Sequence, residues 1–248
     1  MKPVLLITGA SRGIGAATAT LAAQQGWAVA VNYAQNSAAA KAVVQQIKAH
    51  GGQAMAVQAD VGDEHQIMRM FAQVDAELGR LQGLVNNAGV VDVSAKLEDM
   101  SWARWERMLR INVLGSMACA REAIKRMSTA LGGSGGSIVN VSSAASRIGS
   151  PGQYVDYAAA KGAIDALTLG LAKEVAAEGI RVNAVRPGLI DTEIHASGGL
   201  PNRVRDLSHL IPMQRGGTAE EVANAICWLL SDSSSYTTMS LVDISGAR

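Results

Sequence analysis

The sequence predicts an α/β protein with a doubly wound parallel β-sheet of about seven strands and helices on both faces. Three features of the pattern support this fold class. Short runs of consecutive apolar residues recur along the chain, as in parallel strands that are buried on both faces. Longer stretches with apolar residues at helical spacing separate these runs. A glycine-rich turn at residues 8–15 joins the first apolar run to the first helical stretch.

The first half of the chain alternates strand and helix. Apolar runs predict strands at residues 4–8, 28–32, 54–58 and 84–86. The helix predicted at 13–25 is rich in alanine, and the helix at 37–49 has apolar residues at helical spacing. A third helix is predicted at 63–78, with Asp63 as its N-cap because a carboxylate accepts hydrogen bonds from the first turn. Right-handed crossovers between such elements give the double winding.

The second half continues this alternation around one long helix. That helix is predicted at 101–127, with Met108, Ile111, Leu114 and Ala118 along one face. Further strands are predicted at 137–142, 180–185 and 241–244, and further helices at 155–177 and 219–230. The polar stretch at about 193–217 has no clear strand pattern. A long irregular stretch inside a compact domain is often a binding loop, so we expect it to contact substrate.

Composition limits the classes of function. With 248 residues, of which 48% are hydrophobic, the chain is expected to form a single domain, 1–248, with a substantial core. The net charge of +1, without long runs of either sign, argues against nucleic acid or an anionic membrane as a partner. No apolar run is long enough to span a membrane or to act as an export signal. The isolated Cys119 and Cys227 indicate structural thiols in a reducing compartment, so a cytoplasmic protein is expected.

The glycine-rich turn suits a phosphate group. Gly9, Gly13 and Gly15 lie between the first predicted strand and the first predicted helix. A helix N-terminus presents unpaired N–H groups and the positive end of the helix dipole, which together bind a pyrophosphate. Glycine is favoured where a side chain would block that approach. The spacing is one residue wider than the common dinucleotide fingerprint, and glycines alone would equally suit a flexible turn, but the flanking strand and helix favour a cofactor site.

The end of the second predicted strand indicates whether the protein binds NAD(H) or NADP(H). A site for NAD places a carboxylate at the end of this strand to hold the ribose hydroxyls. Here the strand ends in Val31-Asn32-Tyr33, and Arg12 adds a positive charge inside the glycine turn. This combination favours NADP(H) over NAD(H), although Arg12 would also suit a solvated surface position. Asp60 and Val61 follow the third strand and are predicted to flank the adenine, although an acidic residue there would also suit the start of a helix.

A serine pair, a tyrosine and a lysine in the second half suit hydride transfer to a carbonyl group. Tyr157 and Lys161 are four residues apart in a predicted helix, so both lie on one face, and Ser142 and Ser143 precede them. A carbonyl oxygen that gains negative charge needs a proton, which a phenol can give. The ordinary pKa of tyrosine is about 10, and the nearby ammonium is expected to lower it. A serine hydroxyl can donate a second hydrogen bond to the same oxygen. Taken singly, each residue would more often be a surface or capping residue.

Six motifs occur together in one order: the 8–15 turn, Asn86-Asn87-Ala88-Gly89, Asn112, Ser143, Tyr157-x-x-x-Lys161 and Arg186-Pro187-Gly188. In this combination the chain resembles the short-chain dehydrogenase/reductase family over essentially its whole length, in particular bacterial members similar to glucose dehydrogenases or oxoacyl reductases. The resemblance implies a Rossmann fold and an NADP-dependent oxidoreductase that acts on CH–OH donors or the matching carbonyls. It also implies a homotetramer or homodimer with a small-molecule substrate.

The resemblance further implies a role for each reacting residue. Tyr157 is expected to act as acid or base, Lys161 to tune it and hold the nicotinamide ribose, and Ser143 to polarise the carbonyl. Asn112 is expected to organise a proton relay to the lysine, and Ser142 is the less favoured alternative to Ser143. The predicted cofactor-binding residues are Gly9, Ser11, Arg12, Gly13, Ile14, Gly15, Asn32, Tyr33, Asp60, Val61, Asn87, Ala88, Gly89, Tyr157, Lys161, Pro187, Gly188, Ile190 and Thr192.

Some questions stay open at the level of sequence. Substrate choice is expected to depend on residues 90–97 and 193–217, and an acyl-carrier partner would be compatible with Arg203, Arg205 and Arg215. The competing class is a non-catalytic NADP(H)-binding sensor or scaffold. His195 and His209 have no metal-ligand partner at useful spacing, so no metal site is predicted. Met239 and Ala247 stand where the family usually has glycine, in a region that normally supports subunit packing.

Overall fold

The computed structural model describes residues 2–248, apart from the side chain of His195. Its strands are β1 Val4–Ile7, β2 Ala28–Tyr33, β3 Gln53–Gln58, β4 Leu81–Asn86, β5 Gly136–Val141, β6 Ile180–Pro187 and β7 Leu241–Ile244. They form one parallel sheet in the order β3-β2-β1-β4-β5-β6-β7. The predicted α/β class and double winding are therefore confirmed, with strand bounds that differ from the predicted ones by up to three residues.

Helices cover both faces of this sheet. They are α1 Gly13–Gln24, α2 Ser37–Ala49, α3 Glu64–Glu77, α4 Trp102–Leu109, α5 Gly115–Met127, α6 Ala145–Ile148, α7 Val155–Val175, α8 Ile194–Ser197, α9 Arg203–Leu207 and α10 Ala219–Leu230. Asp63 caps α3 as predicted, because its carboxylate accepts a hydrogen bond from the Gln66 N–H at 3.1 Å.

The core lies in two layers because strand side chains alternate between the faces of the sheet. In β1, Val4 and Leu6 pack on the face covered by α3, α5 and α7. Leu5 and Ile7 pack on the opposite face, which α1, α2 and α10 cover. The winding reverses between β1 and β4, so the loops after these two strands separate and leave a crevice at their carboxyl ends, the usual ligand position in such sheets.

The predicted long helix at 101–127 is interrupted. A π-helical turn, Arg110–Leu114, separates α4 from α5. Its wider turn rotates the following residues around the helix axis, so Met108 is 1% exposed whereas Leu114 is 59% exposed. The single predicted face is therefore wrong at Leu114, whereas Met108 is buried and Ile111 and Ala118 pack against the core. The Asn112 side chain donates at 3.0 Å to the Met108 carbonyl, which lies four residues earlier and which a regular α-helix would pair with a backbone N–H.

The polar stretch at 193–217 holds the short helices α8 and α9 and no strand within its described part. The residues just before this stretch meet its last residue, because Ile190 forms a single parallel bridge with Gly217 and the Asp191 N–H donates to the Gly217 carbonyl at 2.9 Å. The stretch is thus a closed loop that begins at the end of β6. Within residues 2–248, no helix is long and apolar enough to cross a lipid bilayer.

Candidate active site

The glycine-rich turn forms a cradle at the start of α1. Gly9 and Gly13 have φ angles of 62° and 53°, in the left-handed region that side chains disfavour. A methyl group added to Gly15 would lie 2.6 Å from the Asn87 Nδ2 and 2.7 Å from the Gly9 carbonyl oxygen. Arg12 is the N-cap residue of α1, and its side chain makes no capping hydrogen bond. The first N–H groups of α1 are therefore left for an anion, which fits the pyrophosphate of a dinucleotide.

Asn32 supports this cradle from behind. Its side chain is 1% exposed and accepts a hydrogen bond from the Gly9 N–H at 3.0 Å. Its amide donates to the carbonyls of Val57 and Ala59 at 3.3 and 3.1 Å. Asn32 thus ties the turn to β2 and to the end of β3. The structure gives it a bracing position, and Tyr33 beside it is also buried; their predicted contact with the cofactor stays a prediction.

Thr8 and Asn87 hold the ends of β1 and β4 together. The Thr8 hydroxyl accepts hydrogen bonds from the N–H groups of Asn87 and Ala88, both at 3.0 Å, and donates to the Val85 carbonyl at 3.3 Å. The Asn87 amide donates to the carbonyls of Thr8 and Gly9 at 2.8 and 2.9 Å. A methyl group added to Gly9 would lie 2.9 Å from the Ala88 Cα, so the two loops touch. The sequence analysis gave Thr8 no role of its own.

The residues predicted around the adenosine differ in exposure. Arg12 is exposed, and no ion pair to it occurs among residues 2–248. Asp60 is also exposed, and its carboxylate accepts a hydrogen bond from the Gly62 N–H at 2.8 Å. Val61 is buried. Arg12 is therefore free to meet a negative charge, whereas Asp60 already shapes its own turn.

The residues predicted to react lie close together where β5 ends and α7 begins. Lys161 is 4% exposed, and its ammonium donates to the Val141 carbonyl at 2.7 Å. The Ser142 hydroxyl is buried and donates to the Lys161 carbonyl at 3.2 Å, so Ser142 anchors α7. The Ser143 hydroxyl instead lies beside the Tyr157 phenol, where it acts to lower the pKa of that phenol, and it accepts a hydrogen bond from the Ala145 N–H at 3.1 Å. This geometry favours Ser143 over Ser142 as the group that polarises a substrate.

Asn112 joins this group through the π-helical turn. Its amide donates to the Val90 carbonyl at 3.1 Å, and its carbonyl oxygen accepts from the Val90 N–H at 3.2 Å. A methyl group added to Gly89 would lie 2.8 Å from the Asn112 Oδ1 and 3.6 Å from the Lys161 Nζ. Only glycine therefore fits at position 89, and its lack of a side chain lets Asn112 and Lys161 share one corner of the crevice.

Burial controls the charges of the reacting residues. It raises the pKa of Tyr157 to about 12, against the opposite effect of the hydrogen bond from Ser143. It lowers the pKa of Lys161 to about 8, against the opposite effect of the Asp165 carboxylate. The expectation that Lys161 lowers the pKa of Tyr157 is therefore wrong for these residues by themselves. The ammonium lies 5.5 Å from the centroid of the phenol ring, and loss of hydration is the largest influence on the pKa of the phenol.

Comparison with known proteins shows which protein family the chain resembles over its whole length. A family model described as enoyl-(acyl carrier protein) reductase matches residues 9–246. The chain is 58% identical over 245 residues to the uncharacterized oxidoreductase YgfF of Escherichia coli (strain K12), covering 99% of both chains. It is 36% identical over 247 residues to the 3-oxoacyl-[acyl-carrier-protein] reductase FabG of Staphylococcus aureus, covering 99% of this chain and 98% of the relative. A solved structure of a mutant Serratia marcescens short-chain dehydrogenase/reductase matches with a TM-score of 0.90 and 32% identity, covering 99% of this chain and 97% of that one.

This chain belongs to the short-chain dehydrogenase/reductase family. It is therefore an oxidoreductase, and the resemblance seen in its motifs is confirmed. The fold is the Rossmann-like fold of its structural neighbours.

The loop after β6 holds the residues predicted to shape the nicotinamide pocket of this short-chain dehydrogenase/reductase. The Pro187 carbonyl accepts a hydrogen bond from the Ala144 N–H at 2.9 Å, which joins the loop to the segment after Ser143. A methyl group added to Gly188 would lie 2.8 Å from the Ser245 Cα, so the C-terminal segment packs directly behind it. Ile190 is buried, and Thr192 reaches the start of α1, where a methyl group on Gly13 would lie 3.3 Å from its Cγ2. These positions agree with a nicotinamide pocket, which stays a prediction.

Tyr154 lies against the 193–217 loop, which is predicted to contact substrate. The Arg203 guanidinium lies 5.0 Å from the centroid of the Tyr154 ring and donates to the Gln153 amide oxygen at 2.7 Å. A methyl group added to Gly198 would lie 3.2 Å from the Tyr154 hydroxyl and 3.2 Å from Val91. Residues 90–97, the start of α7 and the 193–217 loop therefore meet beside the reacting residues.

Sequence reasoning missed two buried ion pairs on α7. Asp156 pairs with Arg104 of α4, and Asp165 pairs with Arg186 of β6. The sequence feature that could have drawn attention to Asp165 is its spacing, because it follows Lys161 by four residues on one predicted helix. Their partners lie far away in sequence and gave no local pattern.

Proposed function

We propose that the protein transfers hydride between NADP(H) and a carbonyl or alcohol substrate, with Tyr157 as the acid or base. The observation that supports this most strongly is the meeting of Ser143, Tyr157 and Lys161 at one end of the crevice, with Asn112 beside the lysine. Family membership makes the protein an oxidoreductase, and these side chains supply what a carbonyl reduction requires of a protein.

The cofactor would lie along the crevice between the β1 and β4 loops. The N–H groups at the start of α1 would hold its pyrophosphate, and Arg12 would meet a 2′-phosphate. The absence of a carboxylate at the end of β2 supports NADP(H) over NAD(H). Lys161 would hold the nicotinamide ribose, next to Gly89. When bound, the nicotinamide supplies or accepts the hydride.

Side chains of the protein itself donate the proton and stabilise the charge that develops on the substrate oxygen and on the phenol. The Ser143 hydroxyl lies beside the Tyr157 phenol, so a substrate oxygen next to both can accept a hydrogen bond from each. The phenol holds the proton at neutral pH because its pKa is about 12. As that proton leaves, the Lys161 ammonium stabilises the phenolate through the low-dielectric site. Ser142 and the Val141 carbonyl fix the lysine in position while this happens.

The substrate is proposed to be a small free carbonyl or alcohol. The family model and the S. aureus relative carry names that refer to acyl-carrier substrates, and such a partner would need exposed, unpaired cations at the mouth of the site. Here Arg203 is folded onto Tyr154 and Gln153, and Arg215 pairs with Glu221 at 2.6 Å. Arg205 pairs with Asp206 at 3.1 Å. The contacts of Arg203 and the ion pair of Arg215 favour a small molecule over a carrier protein, whereas Arg205 remains 75% exposed.

Replacement of the tyrosine tests the proposal. We expect Tyr157→Phe to lower the rate of NADPH oxidation with a carbonyl substrate by about 10²-fold to 10⁴-fold, because the proton donor is lost. NADPH binding, measured by fluorescence, should persist. Tyr154→Phe is the matched control, since Tyr154 has Ala158 instead of lysine four residues later, and it should keep most of the activity. The assay is a screen of sugars, ketones and acyl thioesters with NADPH and, in parallel, NADH.

Two outcomes would contradict the proposal. A folded Tyr157→Phe variant that still turns over substrate would remove Tyr157 from the chemistry. Binding of NADPH by the wild-type protein without its oxidation by any carbonyl would instead favour the sensor or scaffold class.

We also infer that the protein is a homotetramer or homodimer in the cytoplasm. Leu114 in the π-helical turn, Met117 in α5 and Leu169 in α7 are exposed, and a second copy would cover these apolar side chains. Light scattering during size-exclusion chromatography tests the assembly. Both cysteines are buried free thiols, which agrees with a reducing compartment.

A further inference from the structure

Helix α7 carries two buried aspartates that each pair with an arginine from another element. Asp156, next to Tyr157, accepts from the Arg104 Nε at 2.7 Å through Oδ2 and from the Nη2 at 3.1 Å through Oδ1. Both of its oxygens are therefore used in a bidentate pair. The Arg104 guanidinium also donates to the Val93 carbonyl, so this pair fastens the 90–97 loop to α7.

Asp165 is bound in a different way. Arg186 donates to it from Nε at 3.1 Å and from Nη2 at 2.9 Å, and both bonds end on Oδ2. Its Oδ1 is buried and has no hydrogen-bond partner. A buried oxygen of a carboxylate without a donor costs free energy that a purely structural ion pair would avoid. The unsatisfied charge therefore calls for a role beyond fastening α7 to β6.

The group that the Asp165 charge would stabilise is the Lys161 ammonium. It lies four residues before Asp165, so the two side chains share one face of α7. Its ammonium is buried with a neutral partner, the Val141 carbonyl, and its other near neighbours are the uncharged Asn112 and the protonated Tyr157. Arg186 on β6 adds a second positive charge on the Asp165 side. Within residues 2–248, the Asp165 carboxylate is the charged group that raises the pKa of Lys161 against the effect of burial.

We propose that Asp165 is a positioning residue whose carboxylate, held by Arg186, keeps the buried Lys161 ammonium charged during the reaction. The inference rests on the proposed function, because it gives the lysine its working charge state. Arg186 also immediately precedes Pro187 and Gly188, so the same pair links the helix of Tyr157 to the predicted nicotinamide pocket. Asp165 touches neither substrate nor cofactor and acts through Lys161.

The sign of the effect follows from the charges. Asp165→Asn removes the group that raises the pKa of Lys161, which is now about 8. The lysine then loses its proton at lower pH. The alkaline limb of the pH profile of kcat for carbonyl reduction, where kcat falls as the pH rises, should therefore shift to lower pH by about 0.5 pH unit or more. Arg186→Gln removes a positive charge near the same site and should move the limb in the opposite direction. A merely structural pair would lower stability in both variants and leave the limb in place.

The experiment compares these variants with Asp156→Asn. That control makes the same chemical change in the more deeply buried pair of the same helix, and we expect it to lower stability without moving the alkaline limb. A second readout needs no turnover: the side-chain carbon shifts of ¹³C-labelled lysine are followed from pH 6 to 10, with the Lys161 signal assigned by its loss in Lys161→Met. The Lys161 midpoint should fall in Asp165→Asn and stay unchanged in Asp156→Asn.

The possible results separate the two proposals. An unchanged Lys161 midpoint in folded Asp165→Asn overturns the role of Asp165, whatever the activity. A lowered midpoint in a protein that reduces no carbonyl supports the electrostatic coupling and overturns the proposed function instead. If Asp165→Asn does not fold, the double variant Asp165→Asn/Arg186→Gln, which leaves no unpaired charge, is titrated in its place. A double variant with the wild-type midpoint, together with an Arg186→Gln midpoint that does not rise, overturns the inference.

Discussion

The two ends of the crevice are built on opposite principles. The turn end, formed by Thr8, Asn32 and Asn87, uses uncharged side chains that are hydrogen-bonded to backbone groups. The reacting end, formed by Ser143, Tyr157 and Lys161, holds two ionisable groups whose pKa values burial shifts away from their ordinary values. Satisfied neutral groups stabilise a fold, whereas a buried charge costs stability. The turn end should therefore lose stability when changed, and the reacting end should lose activity while gaining stability.

The largest expected effect is at the turn end. Asn32→Leu removes the acceptor of the Gly9 N–H and the donor to the Val57 and Ala59 carbonyls. Leaving these buried groups unpaired should cost about 3 kcal/mol of unfolding free energy, measured by urea denaturation. The KM for NADPH should also rise, because the cradle loosens. Asn36→Ala is the reference, because it removes only an exposed helix cap and should cost about 1 kcal/mol. Equal losses in both variants would show that Asn32 does not brace the turn.

At the reacting end we expect a substitution to raise the unfolding free energy, by an amount that depends on pH. Burial lowers the pKa of Lys161 from 10.5 to about 8, so the unfolded chain binds this proton more tightly than the native state does. The resulting penalty is complete below pH 8 and disappears as the pH rises toward 10.5. At about 1.4 kcal/mol per pKa unit it amounts to roughly 3 kcal/mol. Lys161→Met should thus be more stable than the wild type at pH 7, by an amount that shrinks toward pH 10.

This measurement should stop near pH 10. Above that value the stability of both proteins falls as the pH rises, because the raised pKa of Tyr157 makes the native state hold a proton that the unfolded chain has lost. A stability difference between Lys161→Met and wild type that stays constant from pH 7 to 10 would contradict the shifted pKa of the lysine.

The sequence predicts features that depend on local spacing and misses those that depend on contacts between distant parts of the chain. The order of strands and helices, the glycine turn and the pairing of Tyr157 with Lys161 are local patterns, and local spacing reveals them. The π-helical turn was missed because it accompanies hydrogen bonds between Asn112 and Val90, which lie 22 residues apart. The raised pKa of Tyr157 was missed because burial depends on the whole fold. The hydrogen bonds of the Asn32 side chain to the carbonyls at the end of β3 were missed, because no local pattern indicates them.

The smallest expected effect lies behind the reacting end, at the C-terminus. Ala247 has a φ angle of 71° and is exposed, so its methyl group is strained without filling a core. Ala247→Gly should raise the unfolding free energy by about 0.5–1 kcal/mol, since relief of strain exceeds the added freedom of the unfolded chain. Activity should not change, because the neighbouring Ser245 keeps its contact with Gly188.

The adjacent Gly246 provides the matched control. Its φ angle is 63°, and an added methyl group would lie 2.8 Å from the Ile211 Cγ2, so Gly246→Ala should destabilise the protein. The two reciprocal substitutions therefore differ in sign at neighbouring positions with the same backbone conformation. If Ala247→Gly lowers stability as well, the left-handed backbone at Ala247 is not strained. The usual family preference for glycine there would then need a cause outside the single chain, such as the close approach of a second subunit.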